Sequence, residues 1–304
     1  MGEPLFQTLD PRFDALVRYS ERLDQLYDDC RWAEGPAYFP AGRYLVFSDN
    51  PNDRMLQYDE VTGHVSTFRQ PSHNSNGNTV DRYGRLTSCE HAKRRVTRTE
   101  FDGSVTIIAD QHQGKPLNSP NDVIVKSDGS VWFSDPTYGI DSDYEGFKHP
   151  SEQAGNFVYR VDPVSGQVTA VAKDFVQPNG LAFSPDESLL YIADTGRTHH
   201  PDGPAHIRKF SVQSNGTLKD LGVFAECTAG LFDGFRLDTD GRIWTSAADG
   251  VHCYDPDGTL LGKILVPEVV ANVCFGGPRR NYLYICATHS LYGTRLMVNG
   301  LKLF

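Results

Sequence analysis

Asn179-Gly-Leu-Ala-Phe-Ser-Pro-Asp-Glu-Ser-Leu-Leu-Tyr-Ile-Ala-Asp194 decides how this chain folds. Its two apolar runs flank a Ser-Pro-Asp-Glu-Ser turn, so it reads as a β-hairpin that opens on a carboxamide. The opening recurs. Glu34-Gly-Pro-Ala-Tyr-Phe39, Asn76-Gly-Asn-Thr-Val80, Asn121-Asp-Val-Ile-Val125, Asp233-Gly-Phe-Arg-Leu237 and Asn272-Val-Cys-Phe275 each start a strand on a carboxylate or a carboxamide. The six leading residues are 42, 45, 58, 54 and 39 apart. A period in this range, with a strand–turn–strand unit in each copy, predicts an all-β, six-bladed β-propeller. The innermost strand of each blade starts near the axis, so six oxygen-bearing side chains should converge there.

The rest of the chain fits that plan. Each blade needs two further strands, and Asn156 to Val161 with Gln167 to Ala172, or Ile207 to Val212 with Thr217 to Phe224, supply them. Blade six runs out of chain after Leu291 to Val298, and its fourth strand is expected from Glu21 to Asp29. The expected organisation is therefore an N-terminal extension over 1–20, carrying a short helix, and a propeller over 21–304 closed by an N-terminal strand. Counting about the hairpin turns places Asp135 opposite Asn121, Asp194 opposite Asn179, Asp49 near Glu34 and Glu90 near Asn76. Turn capping accounts for Asp49, Glu90 and Asp194. Asp135 is in addition a candidate for a second cation site.

Composition narrows the partners. A net charge of −10 argues against nucleic acid, which needs a basic surface. No run of eighteen apolar residues is present, so no membrane span is expected. The N-terminus has neither a basic segment nor an apolar core of a leader, which makes the cytoplasm the default location, or the periplasm if a leader has been trimmed. None of the six cysteines forms a Cys-x-x-Cys pair, so a zinc or redox motif is not expected. Nothing in the sequence fixes the oligomeric state.

The ring residues suggest the chemistry. Glu34 and Asp233 carry two negative charges, and Asn121 and Asn179 add neutral carbonyl oxygens. Such an all-oxygen set suits a divalent cation, calcium foremost, with magnesium, manganese or zinc as alternatives. Asn76 and Asn272 would complete the ring or touch a substrate. The connection after each second strand lies on the ring's face. Two of these are long, Pro136 to Gly155 and Thr195 to Ala205, and read as substrate lids. Tyr138 and His199 lie in them and are candidate substrate contacts.

Five motifs then carry a resemblance: Trp32-Ala-Glu-Gly-Pro36, Ser75-Asn-Gly-Asn-Thr-Val-Asp81, Leu117-Asn-Ser-Pro-Asn-Asp-Val123, Trp132-Phe-Ser-Asp-Pro-Thr-Tyr-Gly139 and Gln177-Pro-Asn-Gly-Leu-Ala-Phe-Ser-Pro-Asp186. In this order they resemble the gluconolactonase/regucalcin family, most of all its bacterial lactone hydrolases. The resemblance implies a six-bladed propeller with one divalent cation on the axis. It implies ligation by Glu34, Asn179 and Asp233, with Asn121 as a further ligand or a substrate contact, and it makes Asp233 the expected catalytic residue. The regucalcin branch has an arginine two residues before Asn121, where this chain has Ser119, so that branch's substrate does not carry over. The expected reaction is cation-assisted opening of a lactone such as gluconolactone, with Asp233 taking a proton from water. Alternatives are calcium-dependent phosphotriester hydrolysis, with Asp233 attacking phosphorus, and a non-enzymatic calcium-binding propeller.

Overall fold

The computed structural model describes residues 4–301. Six antiparallel sheets follow one another along the chain, each starting on the strand that opens a sequence repeat. Blade one, for example, holds Ala33–Phe39, Tyr44–Asp49, Arg54–Asp59 and Val65–Arg69. Blade four holds Pro178–Phe183, Leu189–Asp194, His206–Val212 and Leu218–Glu226. This is the six-bladed β-propeller expected from the repeat. Every residue of the innermost strands of blades one, two, four and six is buried. Apolar side chains fill the space between adjacent sheets. Tyr38 of blade one, for instance, stacks on Tyr284 of blade six with ring centroids 5.8 Å apart.

The N-terminal segment is built into the wheel. Asp24–Tyr27 pairs antiparallel with Ser290–Arg295 and supplies the outer strand of blade six. Residues 4–20, within the stretch 1–20 expected as an extension with a short helix, do more than that. Phe6–Thr8 pairs with Leu260–Leu265 and gives blade five a fifth strand. The helical part is one 3-10 stretch, Pro11–Ala15, capped by the Asp10 carboxylate. It buries Phe13 against Trp244, 6.2 Å away. A two-strand ribbon, Gln111–His112 with Lys115–Pro116, lies between blades two and three and was not expected. All six cysteines are free thiols, five of them buried. Among the described residues no helix is long and apolar enough to cross a membrane.

The hairpin register departs from simple counting at one place. Blade four pairs Phe183 with Leu190 and Leu181 with Ile192, but then Pro178, not Asn179, with Asp194. The same slip occurs between Glu34 and Ala37, between Ser75 and Asn78, and between Val270 and Asn272. Each is a β-bulge at the start of an innermost strand, an extra residue that bends the strand and re-aims a side chain. The repeated bulge sits at the ring residue in blades one, two, four and six, while the ladders of blades three and five start at Val123 and Phe235 and show no slip.

Candidate active site

The glycine after most ring residues explains how the ring is drawn together. A Cβ on Gly180 would lie 2.1 Å from the carbonyl oxygen of Asp233, the next blade's ring residue. A Cβ on Gly234 would lie 2.0 Å from the Asn272 amide carbon. Only glycine lets the inner strands approach this closely. Backbone hydrogen bonds then tie blade to blade. Gly77 N–H donates to Asn121 O at 2.7 Å, Gly180 N–H to Asp233 O at 3.2 Å, and Gly234 N–H to Ala271 O at 2.8 Å.

Glu34, Asn76, Asn121, Asn179 and Asn272 are all buried around the axis, and Asp233 keeps part of its surface open. Glu34 Oε2 accepts from Gly35 N–H at 2.6 Å and from Asn272 Nδ2 at 3.1 Å. Burial, then the nearby Asp122 charge, push its carboxyl up to about 8. Asp233 is lifted well above the carboxylate range by loss of water, next by Glu34, and further by Asp122 and Glu145, while a hydrogen bond from Asn179 opposes the rise. Two facing carboxyl groups without a hydrogen-bonded cationic side chain remain ionised only if a positive charge lies between them. Among the described residues there is no cluster of three or more His, Cys, Asp or Glu side chains at ligand spacing. A cation here would therefore draw on carboxamide oxygens beside the two carboxylates. The amide of Asn121 makes no side-chain hydrogen bond among the described residues, and Asp122 follows it in the chain, beside the ring. The donor set fits a hard divalent ion.

The other expected site residues occupy distinct positions. Asn76 is held at both ends, its Oδ1 accepting from Asn50 Nδ2 at 3.1 Å and its Nδ2 donating to Asn121 O at 3.2 Å. Asn272 is engaged with Glu34 and accepts from Val273 N–H at 2.9 Å. Both shape the ring more directly than they face an incoming substrate. Tyr138 and His199 lie on the two long loops, which are latched together. Tyr138 Oη is 3.0 Å from Thr198 Oγ1, and His199 Nε2 is 2.7 Å from Asp141 Oδ2. Burial lifts the Tyr138 phenol, and the Asp233 charge adds to the rise, which puts this loop on the ring's face. Asp135 is fully buried, and its Oδ2 accepts from Asn118 N–H at 2.9 Å. Asp49 and Asp194 do the same for Arg31 N–H and Gln177 N–H, both at 2.9 Å. Glu90 binds Arg95 Nε at 2.7 Å. Asp49, Asp135 and Asp194 thus secure the chain that enters the inner strands of blades one, three and four, whereas Glu90 is held by side chains of the neighbouring strand.

Asp122, Glu145, His91 and Asn50 escaped the sequence reading. Asp122 adds a third carboxylate, itself buried, beside the ring, with Arg236 Nη1 3.5 Å away. Its only signal was its place after Asn121. Glu145, on the first long loop, is pushed up to about 7 by burial and then by Asp141. Its backbone carbonyl lies 3.2 Å from Nδ1 of the buried His91, which is in turn 3.2 Å from Asn50 Nδ2. Nothing periodic marks Glu145, because a loop has no register to read.

Residues 32–289 match the family model described as SMP-30/Gluconolactonase/LRE-like region. A gluconolactonase of Zymomonas mobilis is 31% identical, over 95% of this chain and 85% of its own length. The pentonolactonase XacC of Haloferax volcanii is 32% identical over 84% of this chain and 81% of its own. Among solved structures, a gluconolactonase from Xanthomonas campestris superposes with a TM-score of 0.90 at 37% identity, over 97% of this chain and 95% of that one. A calcium-binding regucalcin from Agrobacterium tumefaciens shares the fold at 19% identity, with a TM-score of 0.73 over 91% of this chain and 94% of that one.

Proposed function

The chain belongs to the SMP-30/gluconolactonase/LRE-like family and is a lactone hydrolase, and we propose that it opens an aldonolactone at the axial ring with Asp233 as its base. The observation that carries this reading is the pair Glu34 and Asp233. Two carboxyl groups face one axis beside carboxamides, and Asp233 alone of the six ring residues is not fully buried. Aldonolactone is the substrate class because the relatives named for a substrate act on glucono- and pentonolactones.

Glu34, Asn121, Asn179 and Asp233 would hold a divalent cation, calcium foremost. When bound, that ion supplies Lewis-acid polarisation of the lactone carbonyl and charge balance for the oxyanion. Asp233, held by Asn179, takes a proton from the attacking water as its oxygen bonds to the carbonyl carbon. The bond from that carbon to the ring oxygen then breaks, and Asp233 returns the proton to the departing alkoxide. Water is consumed and one hydroxy acid is formed. Asn272 keeps Glu34 aimed at the axis. The latched loops carrying Tyr138 and His199 close over the substrate and exclude bulk water. Asn121, whose amide is free, is placed to meet either the ion or a substrate oxygen.

The test is removal and return of the metal. Protein stripped by chelator and verified metal-free by elemental analysis should lose turnover of D-glucono-1,5-lactone. Calcium, magnesium, manganese and zinc should each restore it to a different degree. Full activity in the verified metal-free protein would overturn the cation's part in the reading.

A further inference from the structure

The loop from Pro136 to Gly155 carries four acidic side chains, and three of them are engaged. Asp141 Oδ2 lies 2.7 Å from His199 Nε2, Asp143 accepts from Lys148 N–H at 2.8 Å, and Glu152 pairs with Arg94. The Glu145 carboxylate accepts no hydrogen bond among the described residues. Its one basic neighbour within 4.0 Å among them is His91 Nδ1, 3.9 Å from Oε2, and burial keeps that imidazole neutral at neutral pH. Glu145 is therefore not ion-paired, and its side chain keeps 28% of its surface open. Its charge raises the Asp233 and Glu34 carboxyls and the Tyr138 phenol, so it acts on the space that the ring and the lid enclose.

The loop fixes this carboxylate in place. A Cβ on Gly146 would lie 2.2 Å from Gly139 O, and a Cβ on Gly139 would lie 2.5 Å from His91 Cβ, so the loop packs flat on itself and on His91. Gly139 N–H donates to Ser119 Oγ at 3.0 Å, and Glu145 O stands 3.2 Å from His91 Nδ1. A carboxylate withdrawn from water without a donor costs free energy that hydroxyl donors recover. It offers acceptors only, and neighbouring hydroxyls on a sugar ring are donors that its two oxygens can take together. We propose that Glu145 is a specificity-determining residue, which accepts hydrogen bonds from the hydroxyls of the bound lactone and so selects polyhydroxylated lactones over bare ones. The assignment rests on the aldonolactone reading above and adds the group that recognises the polyol.

The test compares D-glucono-1,5-lactone with δ-valerolactone, which has the same six-membered ring and no hydroxyls. Steady-state kinetics are measured on the calcium-loaded full-length enzyme for wild type, Glu145→Gln and Glu145→Ala. Glu145→Ala should lower kcat/KM for gluconolactone about 10- to 100-fold, mainly through KM, the effect of losing hydrogen bonds to a charged acceptor. Glu145→Gln keeps one acceptor oxygen and should lose less. Both variants should handle δ-valerolactone within about twofold of wild type, because that substrate makes no contact with the side chain. If its turnover is too slow to measure, its inhibition constant against gluconolactone gives the same comparison. The unfolding midpoint of Glu145→Gln should not fall, since no hydrogen bond within the protein is lost. Equal losses on both lactones, unchanged gluconolactone kinetics, or a lowered midpoint would each overturn the assignment. A wild-type enzyme that does not open gluconolactone would instead remove the aldonolactone reading beneath it.

Discussion

His91 shows how a single buried side chain ties the lid to the ring. Its Nδ1 stands 3.2 Å from both Glu145 O of the lid and Asn50 Nδ2, donating to the first in one tautomer or accepting from the second in the other, and Asn50 holds Asn76. Burial lowers its pKa to about 4. In the unfolded chain a histidine titrates near 6.5. Between these values the unfolded chain takes up a proton that the native state does not. Native stability should therefore fall as pH drops from about 6.5 to about 4, and His91's share of that loss is up to about 3 kcal/mol. Unfolding free energies of wild type and His91→Gln, measured from pH 7 to pH 4, should converge by that order. Parallel profiles would show that His91 does not titrate as described. Such a role was not legible in the sequence. His91 follows a strand, like many loop residues, and only the packed structure reveals that it is fully buried beneath the lid. The ring residues were legible because six of them recur at one position of a repeat.

At the scale of the strand, bulge and glycine act together. The sequence period places the inner strands, but simple hairpin counting sets Asn179 opposite Asp194, whereas the bulge brings Pro178 there. A bulge is a one-residue insertion into the ladder and leaves the apolar pattern beyond it intact, so alternation alone does not expose it. The acidic residues opposite the ring were correspondingly shifted by one: Asp49, Asp135 and Asp194 bind backbone amides, and Glu90 binds the Arg95 and Thr97 side chains. Gly180→Ala tests the close approach. Its Cβ would lie 2.1 Å from Asp233 O, so the blades must move apart. We expect a stability loss of about 1–3 kcal/mol. Turnover should drop by more than the stability loss accounts for, up to roughly a hundredfold, because Asp233 shifts with its backbone. Normal turnover in the folded variant would contradict this. On the lid, Tyr138→Phe removes the bond to Thr198. KM should rise about threefold to tenfold with kcat nearly constant, the scale of one neutral hydrogen bond. A fall in kcat at fixed KM would instead place the phenol in the chemistry.

Across the whole molecule, ring closure converts six separate sheets into one axis. The seam between blades one and six is held by Asp24–Tyr27 on Ser290–Arg295, with Tyr282 Oη donating to Asp24 at 3.0 Å. The need for that strand was visible as a missing quarter of the last blade. The use of Phe6–Thr8 on blade five was not, since three residues carry too little pattern to read. Deleting residues 1–27 should lower the unfolding midpoint by roughly 10 °C or more, given about 2–4 °C per kcal/mol in a domain of this kind. It should also reduce lactonase activity, because an open seam lets Glu34 and Asn272 drift apart. An unchanged midpoint would mean that the seam closes without the strand. The central claim is that Asp233 performs the proton transfer of lactone opening. Its most direct test is turnover of D-glucono-1,5-lactone by Asp233→Asn at saturating calcium. The substitution keeps shape and an oxygen donor, and removes charge and basicity. The expected result is a folded protein that still binds calcium at least in part, with kcat reduced roughly 10²–10⁴-fold. Turnover close to wild type under those conditions would contradict the account.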